Sequence, residues 1–316
     1  MRTAIVGSGA MGTLFGAYLA RGGHQVWMVG RRPPVAAALA RDGLRVEGLA
    51  QLAAAVAGAT ADPAQVPEVD LALVLVKAGD TAAAAQAIAR FPVPPPTVLT
   101  LQNGAGNVEA LAERLGAERV LAGTSALGAT LLGVGRVRQA GAGETVIGRP
   151  GGGPDARLEG IARAFTQAGL PTRVSEHVEQ DLWRKLVVNC ALNAVGALAR
   201  VPNGVVGEDP GLARVAEAAA REAAALGQAQ GLDTDPEAMV HLVRQVCRQT
   251  AGNYNSMLQD VLAGRPTEVG AINGYVAGQA EARGLPAPAN RLLADLVRGI
   301  EGNYDRQVKG EWGQAC

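Results

Sequence analysis

Lys185, Asn189 and Asn193 stand at i, i+4 and i+8 within Asp181-Leu-Trp-Arg-Lys-Leu-Val-Val-Asn-Cys-Ala-Leu-Asn193. Read as a helix, that spacing stacks an ammonium and two carboxamides on one face over two turns. Leu182, Trp183, Leu186, Val187, Val188, Leu192, Val195 and Leu198 surround the stripe on nearly every other side, which predicts a buried helix. An unpaired buried polar group costs roughly 1–3 kcal/mol, and a charge costs more. The stripe therefore needs partners, either other side chains of the protein or a small polar ligand resting on it.

The choice of lysine sharpens this reading. Of 29 Lys and Arg residues, only Lys77, Lys185 and Lys309 are lysine. Guanidinium effectively never gives up its proton, whereas a desolvated ammonium can. Lys185, directly beside Arg184, reads as a proton donor; Lys309, in a polar tail, reads as a chance survivor.

A proton donor needs a reaction, and the N-terminal half suggests one. Thr3-Ala-Ile-Val-Gly7 is a short apolar run that leads into Gly7-Ser8-Gly9-Ala10-Met11-Gly12. A helical pattern follows through Leu14, Phe15, Tyr18 and Leu19, and Gln25–Val29 reads as the next strand. A lone G-x-G-x-x-G is weak evidence in a chain with 42 glycines. Strand, glycines, helix and strand in that order are strong evidence, because the glycines permit a tight turn and close approach of a pyrophosphate to a helix N-terminus.

The second strand ends in Gly30-Arg31-Arg32, where an NAD-selective site would carry Asp or Glu. The first acid downstream is Asp42, so the arginines favour the 2′-phosphate of NADP(H) over a plain solvated loop before Pro33-Pro34. Two more strands end in polar residues at the edge where open α/β sheets bind ligands. Leu71–Val76 ends at Lys77, and Thr97–Leu101 ends at Gln102-Asn103-Gly104. Lys77 as a surface charge and Asn103 as a turn residue are the plainer alternatives. Residues 119–128 and 135–148 read as further strands, the second with hairpin-like turn chemistry, 155–169 as a helix and 171–174 as a last strand, with a handover near Ser175.

A chain of 316 residues suggests two domains, here 1–175 and 176–316. Twenty-nine acidic residues balance the basic ones, which leaves no field to hold nucleic acid or an anionic membrane. Cys190, Cys247 and Cys316 form no zinc spacing and no even disulfide framework, which fits a reducing cytosol and no metal. No signal peptide fits before a strand near Thr3, and Asn189 and Asn193 interrupt the longest apolar stretch well short of a membrane span. The alanine-rich stretches 36–40, 53–57 and 82–85 read as helix filler, and 48–58 as insert-like.

From Glu176 onward the pattern is helical. After a break at Val201-Pro-Asn203-Gly204, helices are expected at about 210–231, 236–263, 266–284 and 289–307. Asn253 and Ser256 then share one helical face at i, i+3. Arg265-Pro-Thr-Glu268-Val opens the next helix, where a first-turn carboxylate would also suit the helix dipole.

Together these residues resemble the ketopantoate reductases (2-dehydropantoate 2-reductases) along essentially the whole chain. The specific parts are Leu-Trp-Arg-Lys185-Leu-Val-Val-Asn189-Cys-Ala-Leu-Asn193 and Asn253-x-x-Ser256-Met-Leu-Gln-Asp. Arg-x-Thr-Glu268-x-x-x-Ile-Asn-Gly, Pro-Asn203-Gly, Gln-Asn103-Gly, Lys77, Arg31 and the glycine fingerprint accompany them. The resemblance implies an α/β Rossmann-type N-terminal domain joined to an all-α domain like that of 6-phosphogluconate dehydrogenase. It implies NADPH-dependent reduction of 2-dehydropantoate to (R)-pantoate, on the route to pantothenate and coenzyme A, by a cytoplasmic enzyme.

In residue terms, the resemblance implies that Lys185 is the general acid, with Glu268 orienting it. Residues Gly7, Ser8, Gly9, Ala10, Met11 and Gly12, with Arg31, Lys77, Asn103 and Glu268, would contact the cofactor. Asn103, Lys185, Asn189, Asn193, Asn203, Asn253 and Ser256 would contact the substrate. It leaves a homodimer open. A paralogue reducing another 2-oxo acid keeps the same machinery. A non-catalytic NADPH sensor would need none of the lysine, glutamate, serine and asparagines.

Overall fold

Short apolar runs alternate with alanine-rich helices over the first half of the chain, and the computed structural model, which describes residues 1–307, shows what that alternation builds. Residues Met1–Leu182 form one compact unit. In chain order it contains β1 (Arg2–Val6), α1 (Ala10–Arg21), β2 (Gln25–Val29), α2 (Pro33–Asp42), β3 (Leu44–Gly48), β4 (Leu52–Ala54), β5 (Gly58–Thr60) and β6 (Leu71–Val74). It continues with α3 (Thr81–Ile88), β7 (Val98–Thr100), α4 (Asn107–Leu115), β8 (Val120–Ser125), β9 (Gly128–Gly133), β10 (Arg136–Gly141), β11 (Thr145–Gly148), α5 (Ala156–Gln167) and β12 (Thr172–Ser175).

Eight strands make the main sheet in the order β12-β11-β8-β7-β6-β1-β2-β5. Every pair is parallel except β8 with β11. A parallel sheet must be covered on both faces, and its central strands accordingly read as unbroken apolar runs. On one face Ile5, Leu73 and Leu99 pack with Leu14, Phe15 and Phe165 of α1 and α5, the two rings meeting edge to face at 5.8 Å. On the other, Val6, Ala72 and Val74 pack with Ala84, Ile88 and Leu111 of α3 and α4.

A second, four-stranded sheet in the order β4-β3-β10-β9 lies against α1. It corrects two expectations. Residues 53–57 are not helix filler: β4 takes Ala53 and Ala54, and the insert-like stretch 48–58 joins β3, β4 and β5. Residues 135–148 are not one hairpin either, since β10 pairs with β9 and β3 whereas β11 belongs to the main sheet beside β8. The strand expected over 119–128 ends at Ser125, and β9 begins at Gly128.

The second unit begins at Trp183, within α6 (Val178–Ala199), and is entirely helical among its described residues. It continues with α7 (Asn203–Glu208), α8 (Pro210–Ala229), α9 (Pro236–Gln249), α10 (Ser256–Leu262), α11 (Asn273–Glu281) and α12 (Pro288–Glu301). Asp209, Asp235 and Asn255 cap α8, α9 and α10 by accepting from the first free backbone N–H groups. The expected single helix over 236–263 is two. The carbonyls of Ala251 and Asn253 turn away to accept from Gly204 and Asn203, and Asn255 then starts α10 afresh.

The expected helix from Pro266 likewise begins late. Residues Val269–Ala271 form a single 3-10 turn, Ile272 breaks it at φ −108°, ψ −99°, and α11 starts at Asn273. The last helix stops at Glu301 instead of continuing to Gln307. Lys309, Cys316 and the rest of the polar tail lie outside the described residues. No helix among the described residues is long and apolar enough to cross a membrane.

Candidate active site

In the sheet unit, the turn from β1 to α1 is shaped by what cannot fit. Gly7 has φ +118°, and a Cβ there would meet the backbone of Leu75 at 2.8 Å. A Cβ on Gly12 would lie 1.8 Å from the carbonyl oxygen of Gly7, so the helix can press against the turn only without one. Gly9 differs: a Cβ there would meet nothing within 4 Å. It borders an open cradle at the start of α1. Thr13 N–H to the Gly9 carbonyl (2.9 Å) opens the helical ladder, and no acidic residue stands in the first turn. The N–H groups of Ala10, Met11 and Gly12 precede that bond and by position lack an intrahelical acceptor. Such an end suits an anion, and the cradle fits a dinucleotide pyrophosphate.

Ser8 and Gly30 lie at the same corner, with the Ser8 Oγ 3.6 Å from where a Gly30 Cβ would stand. Arg31 follows β2 directly and is bound in a fork by Asp80, at 2.7 Å from Nη1 and 3.0 Å from Nη2. Asp80 was not among the residues singled out from sequence. It lies 49 positions from Arg31 and reaches it only because β6 and β2 flank β1 in the sheet.

Lys77 and Asn103 lie beyond the carboxyl ends of β6 and β7, on the edge expected for them. Beneath them runs a buried polar network. Gln102 donates to the Val76 carbonyl (3.0 Å) and to the Thr81 hydroxyl (2.8 Å). Thr81 donates to Asn107 Oδ1 (2.8 Å), and Asn107 donates to the Asn103 carbonyl (3.0 Å). Gly104 and Gly106 take φ of +80° and +87°, which turns the chain at once behind Asn103. Gln102 stood in the quoted motif, but Thr81 and Asn107 carried no local signal.

In the helical unit, α6 is continuous through Lys185, Asn189 and Asn193, so the three share a face. Trp183, Leu186, Val187, Leu192 and Val195 are buried around them, and the Trp183 indole donates to the Ala223 carbonyl at 3.0 Å. Lys185 keeps part of its surface accessible, yet protein atoms crowd it. That desolvation lowers its ammonium from the ordinary 10.5 to about 8, against the opposing charge of Glu268. Glu268 is half-buried just before the 3-10 turn, and its carbonyl accepts from Ala271 (3.0 Å) and Ile272 (3.1 Å). It is not in the first turn of an α-helix, so the dipole explanation for its presence fails. The loop carrying it is tied down by the Thr267 N–H, which donates to Glu301, and by the Thr267 hydroxyl, which accepts from Val269 N–H at 3.1 Å.

Asn253 and Ser256 do not share a helical face. Asn253 lies in the exposed loop before α10, and Ser256 is the first residue of that helix, also exposed. Asn255, passed over in sequence although it stands between them, fixes the arrangement. It caps α10 through Leu258 N–H (2.9 Å) and donates to the Leu192 carbonyl on α6 (3.2 Å). Asn203 is buried, donates to the Thr250 hydroxyl at 3.0 Å, and leaves its Oδ1 without a partner among the described residues. Asn273 donates from its amide to the Cys190 carbonyl on α6 (2.9 Å) and to Asn290 (3.0 Å), locking α11 to the lysine helix. No group of His, Cys, Asp and Glu among the described residues could hold a metal ion.

A Rossmann-type sheet unit with a glycine cradle, followed by an all-helical unit carrying a desolvated lysine, defines a class of two-unit dinucleotide-binding proteins. Within it, residues 3–152 match the family described as ketopantoate reductase PanE/ApbA, and residues 177–301 match its C-terminal part. The chain belongs to the ketopantoate reductase family. It is 40% identical over 301 residues to a 2-dehydropantoate 2-reductase of Halobacterium salinarum, covering 94% of this chain and 98% of that protein. It is 32% identical to one of Vibrio cholerae, over 97% of this chain and all of that protein. Among solved structures, a PanE/ApbA family ketopantoate reductase from Ralstonia eutropha superposes with a TM-score of 0.87 at 33% identity, over 97% of this chain and 100% of the other.

Proposed function

We propose that this protein reduces 2-dehydropantoate to (R)-pantoate with NADPH, in the cytosol, where thiols such as those of Cys190 and Cys247 stay reduced. The observation that carries the reading is the Lys185 ammonium, held near neutrality at about 8 on a face shared with two carboxamides. A desolvated acid with its pKa close to working pH is what a reaction placing negative charge on a carbonyl oxygen requires.

Residues 1–175 hold the cofactor in this reading, and 176–316 the substrate. The N–H groups at Gly9–Gly12 bind the pyrophosphate, Gly7 and Ser8 line the turn, and Arg31 takes the 2′-phosphate. Lys77 and Asn103 act at the carboxyl edge of the sheet. NADPH, when bound, supplies the hydride. Lys185 donates its proton to the substrate carbonyl oxygen as charge develops there, a contribution of about 10²–10⁴ in rate. Glu268 keeps Lys185 charged and accepts a hydrogen bond from the substrate's 4-hydroxyl. Asn189, Asn193 and Asn203 supply neutral hydrogen bonds to the substrate. Ser256 and Asn253, both exposed and neutral, hold the carboxylate.

Oxidation of NADPH followed by its absorbance, with 2-dehydropantoate and 2-oxoisovalerate compared, tests this directly. Turnover of the first at a clearly higher kcat/KM is the expected result. Equal turnover, or none with the hydroxylated acid, rejects the assignment.

A further inference from the structure

The end of β2 lacks the acid that an NAD site carries there, yet the fold brings one back from elsewhere. Asp80 stands after β6, on the far side of β1 from β2, and its two carboxylate oxygens meet the two terminal nitrogens of Arg31 at 2.7 and 3.0 Å. Its orientation is informative. Asp80 is the N-cap of α3, where an aspartate ordinarily accepts from the helix's free N–H groups, but its side chain makes no such bond. The carboxylate turns instead to Arg31, which follows directly on the corner where Gly30 lies by Ser8. Both partners are substantially exposed, so the pair contributes little to stability and its place needs another reason.

That corner lies beyond the carboxyl end of β2, where the adenosine ribose of a bound dinucleotide sits. A carboxylate there accepts hydrogen bonds from ribose hydroxyls; an arginine there pairs with a 2′-phosphate. We infer that Asp80 supplies the ribose-hydroxyl acceptor missing from β2, so that one corner serves both cofactors: Asp80 binds the 2′-hydroxyl of NADH, and Arg31 binds the 2′-phosphate of NADPH. Asp80 thereby limits the preference for NADPH, because the phosphate must share Arg31 with a carboxylate of like charge.

The inference rests on the nucleotide part of the proposed function and is separable from its substrate. Dissociation constants for NADH and NADPH, read from nicotinamide fluorescence with no oxo acid present, test it in the wild type, Asp80→Asn and Asp80→Ala. Both variants should weaken NADH about tenfold, the loss expected for a hydrogen bond to a charged group, while NADPH binds as well as before or several-fold tighter. Thermal melting within a degree or two of wild type confirms that the variants are folded. NADH affinity unchanged within twofold overturns the inference. So does an equal loss for both cofactors, which would make Asp80 a mere support for Arg31. If the wild type binds neither dinucleotide, the nucleotide reading falls as well; if it binds NADPH and only the Asp80 effect is missing, the reading stands without the inference.

Discussion

The protonation state of Lys185 gives the sharpest test. Burial lowers its ammonium from 10.5 to about 8. At about 1.4 kcal/mol per pH unit, that drop means the surroundings disfavour the charged form by about 3 kcal/mol. The proton donor is the ammonium, so kcat/KM for reduction, which follows the ionisation of the free enzyme, should hold below pH 8 and fall about tenfold for each pH unit above it. Glu268 pulls in the opposite direction, raising the value. Glu268→Gln should therefore move the break to lower pH, besides lowering the plateau. Linkage supplies an independent readout. A group whose pKa is depressed on folding binds fewer protons in the folded than in the unfolded state between about 8 and 10.5. Its contribution to stability thus rises with pH across that window, by up to about 3 kcal/mol. In denaturant unfolding, the stability of wild type relative to Lys185→Met should rise between pH 7 and pH 10, a difference that cancels the other groups titrating in that window. A kcat/KM flat to pH 10, or a break that moves upward in Glu268→Gln, would refute the acid role.

Other outcomes follow from the same geometry. Arg31→Ala should lose affinity for NADPH far more than for NADH in a binding titration, and equal losses would remove the phosphate role. Glu268→Gln should narrow the kcat/KM gap between 2-dehydropantoate and 2-oxoisovalerate, whereas Ser256→Ala should weaken both acids alike; a full preference retained in Glu268→Gln would reverse the proposed substrate orientation. Asn255→Ala removes the α10 cap and its bond to the Leu192 carbonyl, which should cost about 1–3 kcal/mol in denaturant unfolding; a change under 0.5 kcal/mol would show that α10 is held by packing alone.

The parts of this fold legible in sequence are those whose signal is local. β1, α1 and β2 follow one another within 29 residues, with glycines at the only turn between β1 and α1, and period and turn chemistry suffice to place them. The small sheet was missed because its strands are short and polar-edged, and because alanine serves helices and strands alike. Ala53 and Ala54 become strand through pairing with Leu44 and Arg45, a register that no property of the alanines announces. The split of 236–263 into two helices has the same origin. Its break is stabilised by backbone bonds to Asn203 and Gly204, which lie some fifty residues earlier in the chain.

The site divides along the same line. Lys185, Asn189 and Asn193 sit on one helix, so their juxtaposition is a consequence of spacing and could be read directly. Asn255 carried a usable signal, an asparagine followed at once by an apolar helical run, but it lay in the shadow of its neighbours Asn253 and Ser256. Asp80 carried none. Searching downstream of β2 for an acid stops at Asp42, which pairs with its neighbour Arg41 and faces solvent. The acid at the ribose corner is found only through strand order: β6 and β2 both flank β1, so the segments leaving their carboxyl ends converge over it. A parallel sheet collects functional groups from distant sequence at one edge because every strand ends there. In such a fold the identity of a neighbour depends on topology before it depends on spacing.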